Sequence, residues 1–156
     1  MALFTQTSTN AQLEVKPMIY SMCLLKPDCV ERELIEQCLE MITNSDLEIV
    51  MQDRRSLTLP EVRLFYHQCA AEPYFEDLCR HMISGECHGI IVSGRRAVDR
   101  LNFLVGINEP QLSPSGTIRK MGTDIANNLA HSSMNFDQFF REAVIFFSKE
   151  RVMSLF

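Results

Sequence analysis

The run MIYSMCLLKPD, Met18 to Asp28, sets the frame for the rest of the chain. Met18–Leu25 is a short apolar run of the kind that forms a buried strand. The KPD that follows ends it and leaves Lys26 at a strand end, where a ligand could reach it. Upstream, residues 1–17 are polar, without period, and closed by Pro17. They read as a flexible N-terminal arm, which leaves 18–156 as one domain.

Downstream, helical and extended patterns alternate. From Glu31 to about Thr43 the apolar residues Leu34, Ile35, Cys38, Leu39 and Ile42 keep helical spacing. LEIVMQ, from Leu47, suits a second strand. TLPEVRLFYHQC opens with a helix start: Thr58 as cap, Pro60 in the first turn, and Glu61 placed for a capping box. Pro73 starts a further helix, PYFEDLCRHMI, ended by Gly85. CHGIIVS reads as a central strand, and RRAVDRLNFLV as a helix stopped at Gly106. Gly106–Arg119 has no period, and a loop this long inside a compact domain marks function or disorder. TDIANNLAH reads as a short helix with Thr123 or Asp124 as cap. Asn135 caps a last helix, with Gln138 placed to complete the cap and Phe139, Ala143, Phe146 and Phe147 as its buried stripe. This order predicts an α/β fold, a sheet with helices packed on one face.

The chain has 156 residues, 46% of them apolar, enough for one packed core. A net charge of -5 argues against a general affinity for nucleic-acid backbones, which takes clustered Lys and Arg. It leaves room for a small phosphate ligand. Six cysteines without C-x-x-C pairing read as thiols of a reducing compartment, not as a disulfide scaffold or zinc site. With no secretory signal and no apolar stretch of spanning length, the expectation is a soluble intracellular protein off the membrane.

Neither a G-x-x-x-x-G-K-[ST] loop nor G-x-G-x-x-G occurs, so any nucleotide is held by another geometry. Phosphoryl transfer needs cations to hold charged oxygens and a placed nucleophile. Lys26 and Arg119, the latter in GTIR, are candidates for the first; each could equally be a solvated surface charge. His131, in NNLAHSSMN, is a candidate for the second. A helical reading puts it on one face with Asn128, and Glu142 lies on the last helix, where a carboxylate could fix the imidazole tautomer. Alone, a histidine near a helix end is more often structural.

Five separated motifs then fall in order: LLKPD, FY before a Pro–aromatic–Phe, MISG, GTIR and NLAHSS. Together they resemble the nucleoside diphosphate kinase family over roughly Tyr20 to Phe147. GTD ahead of NNLAH is similar to a divergent eukaryotic branch often fused to other modules or linked to cilia. The resemblance implies a ferredoxin-like α/β sandwich with a four-stranded antiparallel sheet. It implies ping-pong transfer of the γ-phosphate of ATP or another nucleoside triphosphate to a diphosphate, through a phosphohistidine at His131. Mg²⁺ is implied as the cofactor, held by nucleotide phosphates and not by protein side chains. Glu142 and Ser133 would orient the histidine. Lys26, Tyr66, Tyr74, Arg119 and Asn128 would contact the nucleotide, with Tyr74 stacked on the base. A homo-oligomer is implied, as is a cytoplasmic location, with cilium or flagellum association also in scope.

The pattern is broken in places. Asn102 stands where the family often has a second phosphate arginine, and Asn108 where it has a threonine; both stay in the nucleotide-binding set. Losing a charge-assisted contact costs about 1.5–3 kcal/mol. After the histidine, Ser132, Met134 and Asn135 replace glycine, aspartate and serine, and the segment from Arg119 to His131 is shorter than the family pattern. Two functions therefore fit: an active kinase, favoured by the retained His131 and Glu142, or a catalytically weak nucleotide-binding or scaffold module on the same fold, favoured by Asn102 and Asn108.

Overall fold

A computed structural model describes residues 19–156. The expected arm at 1–17 lies outside the described residues. The elements run β1 (Tyr20–Leu25), α1 (Pro27–Glu31), α2 (Ile35–Thr43), β2 (Glu48–Ser56), α3 (Leu59–Phe65), α4 (Phe75–Met82), β3 (Glu86–Ser93), α5 (Ala97–Val105), β4 (Ala130–Ser132), α6 (Phe136–Phe147) and α7 (Lys149–Met153). The strands form one antiparallel sheet in the order β2-β3-β1-β4. Together with the helices this is a ferredoxin-like α/β sandwich.

Both faces of the sheet are covered, not one. Alternation along β1 sends Tyr20, Met22 and Leu24 into a core with α3, α4 and α6, and Cys23 and Leu25 into a second core with α2 and α5. Every residue of β1 is buried. The continuous apolar run carries that signature, because a strand with one wet face alternates polar and apolar.

Local signals place several helices as expected. Thr58 accepts from the Glu61 amide and the Glu61 side chain accepts from the Thr58 amide, closing the capping box of α3. Asn135 accepts from the Gln138 amide at 2.8 Å to open α6. Gly106 ends α5 at φ 95, where its missing side chain makes room for Ser113 and Thr117.

Two helices differ from their pattern. The span expected from Glu31 is interrupted: α1 runs from Pro27 straight out of the KPD, and a left-handed Glu33 (φ 57) separates it from α2. TDIANNLAH is not a helix. The Asp124 carboxylate accepts from the amides of Ala126 and Asn127, both at 2.9 Å, folding an Asx turn. The chain then turns through Leu129 at φ 73 into β4. Asn128 and His131 therefore do not share a helical face, and His131 projects from a strand.

Candidate active site

The register of β4 decides which way its side chains go. His131 pairs with Leu24 and Ser132 with Cys23. Alternation then turns His131 toward α3 and α6, and Ser132 toward α5. On the first side His131 Nε2 lies 2.7 Å from Glu142 Oε2. Glu142 is fully buried; His131, Ser133 and Gln138 hydrogen-bond its two oxygens, and Arg141 Nη2 lies 3.7 Å from Oε1. Ser133 Oγ donates to Oε2 at 2.9 Å and Gln138 Nε2 donates to Oε1 at 2.5 Å. A carboxylate accepts, so Nε2 carries the ring hydrogen and Nδ1 carries the lone pair. The rings of Phe65 and Tyr66 stand edge-on to the imidazole at 5.1 and 5.4 Å. Nδ1 has no protein partner among the described residues.

His131 lines a cavity of about 670 Å³. Lys26, Tyr66, Tyr74, Asn102, Asn108, Arg119 and Asn128 line the same cavity, so the sequence-derived set converges on one space. Ser133 and Glu142 stand behind the imidazole, both fully buried. Tyr74 is half exposed at the mouth, while Tyr66 is buried, its hydroxyl 3.8 Å from Met82 Sδ. Burial raises the Tyr66 phenol well above its usual range, which keeps it neutral.

The cations are held from behind. Lys26 Nζ donates to Asn128 Oδ1 at 2.9 Å, and Asn128 Nδ2 donates to the Asn108 carbonyl at 3.0 Å. Burial, and then the nearby Arg119, lower the Lys26 ammonium from 10.5 to about 8. Arg119 donates from Nε to the Ala130 carbonyl at 3.1 Å and from Nη1 to the Gly106 carbonyl at 2.9 Å. Burial holds its pKa below the ordinary arginine value. The backbone joins the two halves of the site at Leu129, whose N–H donates to Asp28 Oδ2 at 3.1 Å and whose carbonyl accepts from the Lys26 N–H at 2.8 Å.

The structure adds residues that sequence reasoning passed over. Its spacing from Asn135 marks Gln138 only as a cap residue, yet its side chain holds Glu142. Asp28, in the quoted KPD, receives Leu129 and His81. Ser132 donates to Asn102 Oδ1 at 2.6 Å, joining two of the positions that break the family pattern. Nothing local in sequence signals a bond between residues so far apart. Asp77 is the single carboxylate among the residues that line the cavity. Among the described residues no group of three or more His, Cys, Asp or Glu side chains is placed to hold a metal ion, and no helix is long and apolar enough to cross a membrane.

Known proteins agree with this architecture. The family model described as nucleoside diphosphate kinase matches residues 20–152. The nucleoside diphosphate kinase of Rickettsia typhi is 32% identical over 86% of this chain and 96% of its own length. That of Chlorobaculum tepidum is 31% identical over 85% and 96%. Among solved structures, a nucleoside diphosphate kinase from Halobacterium salinarum in complex with CDP superposes with a TM-score of 0.81 at 26% identity, covering 85% of this chain and 90% of that one. A family protein from Babesia bovis gives a TM-score of 0.80 at 29% identity over the same shares. Fold and site thus define a phosphotransferase of the kinase class. The chain belongs to the nucleoside diphosphate kinase family.

Proposed function

We propose that His131 Nδ1 carries the phosphoryl group between nucleotides. In the first half-reaction the Nδ1 lone pair attacks the γ-phosphorus of ATP or another nucleoside triphosphate. The Nδ1–P bond forms as the bond from phosphorus to the bridging oxygen breaks, and the diphosphate leaves with that electron pair. In the second, a terminal oxygen of an incoming nucleoside diphosphate attacks the same phosphorus and returns the pair to Nδ1. The Nε2 hydrogen stays on the Glu142 side throughout. Lys26 and Arg119 hold phosphate oxygens, while Asn102, Asn108 and Asn128 offer amides to the phosphates and sugar. Tyr74 stacks on the base, a contact that tolerates any base.

The observation that carries this reading is the buried Glu142, which engages His131 Nε2 and so presents the lone pair of Nδ1 on the cavity side. The donor set suits a magnesium–nucleotide complex as substrate. Amides, hydroxyls and two cations face the cavity, with one carboxylate, so the metal's hard-oxygen ligands come from the phosphates. Bound there, magnesium neutralises charge on the phosphate oxygens.

A weaker module is favoured by one observation. Lys26 and Arg119 are the only Lys or Arg among the lining residues, and Arg119 spends Nε and Nη1 on backbone carbonyls. One experiment decides. Incubation with γ-labelled ATP and Mg²⁺ should place acid-labile, base-stable label on the protein, and added diphosphate should remove it. Equal labelling of wild type and His131→Ala would end the kinase mechanism, and labelling with a very slow chase would support the weaker module.

We also read the protein as cytoplasmic. All six cysteines are free thiols, five of them buried, as suits a reducing compartment. Exposed Leu64, Phe103 and Leu112 supply apolar surface for a homo-oligomer. The GTD at 122–124 supports kinship with the cilium-linked branch.

A further inference from the structure

Two departures from the family pattern touch each other. Ser132 is buried on β4, and its hydroxyl donates to Asn102 Oδ1 at 2.6 Å. Both residues line the cavity. With its carbonyl oxygen engaged by Ser132, the Asn102 carboxamide directs Nδ2 to the opposite side. Nδ2 has no protein partner among the described residues. Asn102 lies one helical turn before Gly106, whose carbonyl receives Arg119 Nη1, so amide and guanidinium flank the same stretch of wall. An NH₂ group at that place offers two neutral donors beside a fixed cation, which suits the oxygens of a polyphosphate.

We infer that Ser132 is a positioning residue for nucleotide binding: its hydroxyl locks the Asn102 carboxamide so that the amide donors, and not the carbonyl, face the phosphates. The inference rests on the nucleotide reading above. Released from Ser132, the carboxamide would turn freely and present its carbonyl oxygen, a repulsive partner for phosphate, part of the time. The strand geometry supplies the rest. His131 and Ser132 are neighbours on β4, so the residue that orients the amide is set by the same register that aims the nucleophile.

The test is ADP affinity, measured by titration calorimetry with Mg²⁺, which needs no chemistry. Losing one neutral hydrogen bond corresponds to about 2- to 10-fold in Kd. Ser132→Ala and Asn102→Ala should each weaken binding by about that factor. The double variant should be no weaker than the worse single, because the two act as one unit. Ser132→Thr keeps the hydroxyl on an extended backbone and should restore tight binding. Asn102→Asp keeps the acceptor for Ser132 but replaces the donors with a charged oxygen, so it should bind more weakly than Asn102→Ala. A merely structural role would not order the variants this way. Wild-type affinity in Ser132→Ala, or additive losses in the double variant, or Asn102→Asp binding as wild type, would overturn the inference while leaving His131 labelling untouched. Failure of wild type to bind ADP would overturn the nucleotide reading and this inference with it.

Discussion

Replacing Glu142 by Gln tests the electrostatics of the site with almost no change in volume. Glu142 Oε2 receives His131 Nε2 at 2.7 Å and Ser133 Oγ at 2.9 Å, and Oε1 receives Gln138 Nε2. A glutamine has one acceptor oxygen. Turned toward His131 and Ser133, it keeps both bonds as neutral ones; Gln138 can flip its own amide to accept from the new NH₂, giving up the Met134 amide at 3.4 Å, and the ion pair with Arg141 at 3.7 Å is lost. The fold should therefore lose about 1–2 kcal/mol, the difference between charged and neutral acceptors over these bonds. That lowers Tm by about 2–8 °C in a chain of this size. The rate should fall further. In the transfer proposed above, the ring gains positive charge as Nδ1 bonds to phosphorus, and in a fully buried setting a carboxylate stabilises that charge more than an amide can. A loss of about 2–3 kcal/mol in the transition state is about 30- to 150-fold in kcat. The assay is steady-state transfer from ATP to a second diphosphate, with melting followed in parallel. A folded Glu142→Gln protein with kcat within about 3-fold of wild type would refute the argument that the carboxylate supports charge on His131.

Three further outcomes come from groups around the sheet. Burial and Arg119 bring Lys26 down to about 8, so KM for the nucleotide should rise as pH passes about 8, and Lys26→Gln should abolish that break. Between about 8 and 10.5 the unfolded chain binds more protons at this site than the folded one, so the same group makes stability rise with pH across that window, a trend visible in denaturant midpoints. Gly89 on β3 faces Phe146: an added Cβ would lie 2.5 Å from two ring carbons. Gly89→Ala should destabilise by about 1–3 kcal/mol through overpacking, read as a fall in urea midpoint with an unchanged m value.

Legibility in sequence followed distance. The capping box at Thr58, the Asn135 cap and the Gly106 stop were readable because each signal sits within a few residues of what it controls. β4 was not. Its three residues are too few for a period, and they are extended only because β1 pairs with them across more than a hundred positions. The DIAN ahead of it, Asp124 to Asn127, folds as a turn about the Asp124 carboxylate. Coverage of both sheet faces was present in the unbroken apolar run of β1, yet the number of layers depends on where α2 and α5 dock. In the site, single residues such as His131 or Lys26 were ambiguous alone, and their motifs in order made them candidates. Gln138 and the Ser132–Asn102 bond stayed hidden, because they depend on which side chains the register turns toward each other.

Leu129 has a mechanical consequence. Its N–H is fixed to Asp28, its carbonyl to the Lys26 amide, and its side chain is fully buried while the backbone sits at φ 73. A non-glycine residue in that region carries about 1–2 kcal/mol of strain, and the two bonds and the buried side chain hold it there. This rivets the end of β1 to the start of β4, so the lysine and the imidazole ride on one rigid body and their separation is set by the fold before any nucleotide arrives. The Ser132–Asn102 bond, and the packing of Leu101 and Val105 against Leu25 and Ala130, tie α5 to the same body. Arg119 extends the bracing to the loop, with Nε on the Ala130 carbonyl of β4 and Nη1 on the Gly106 carbonyl, so its guanidinium is held from both sides.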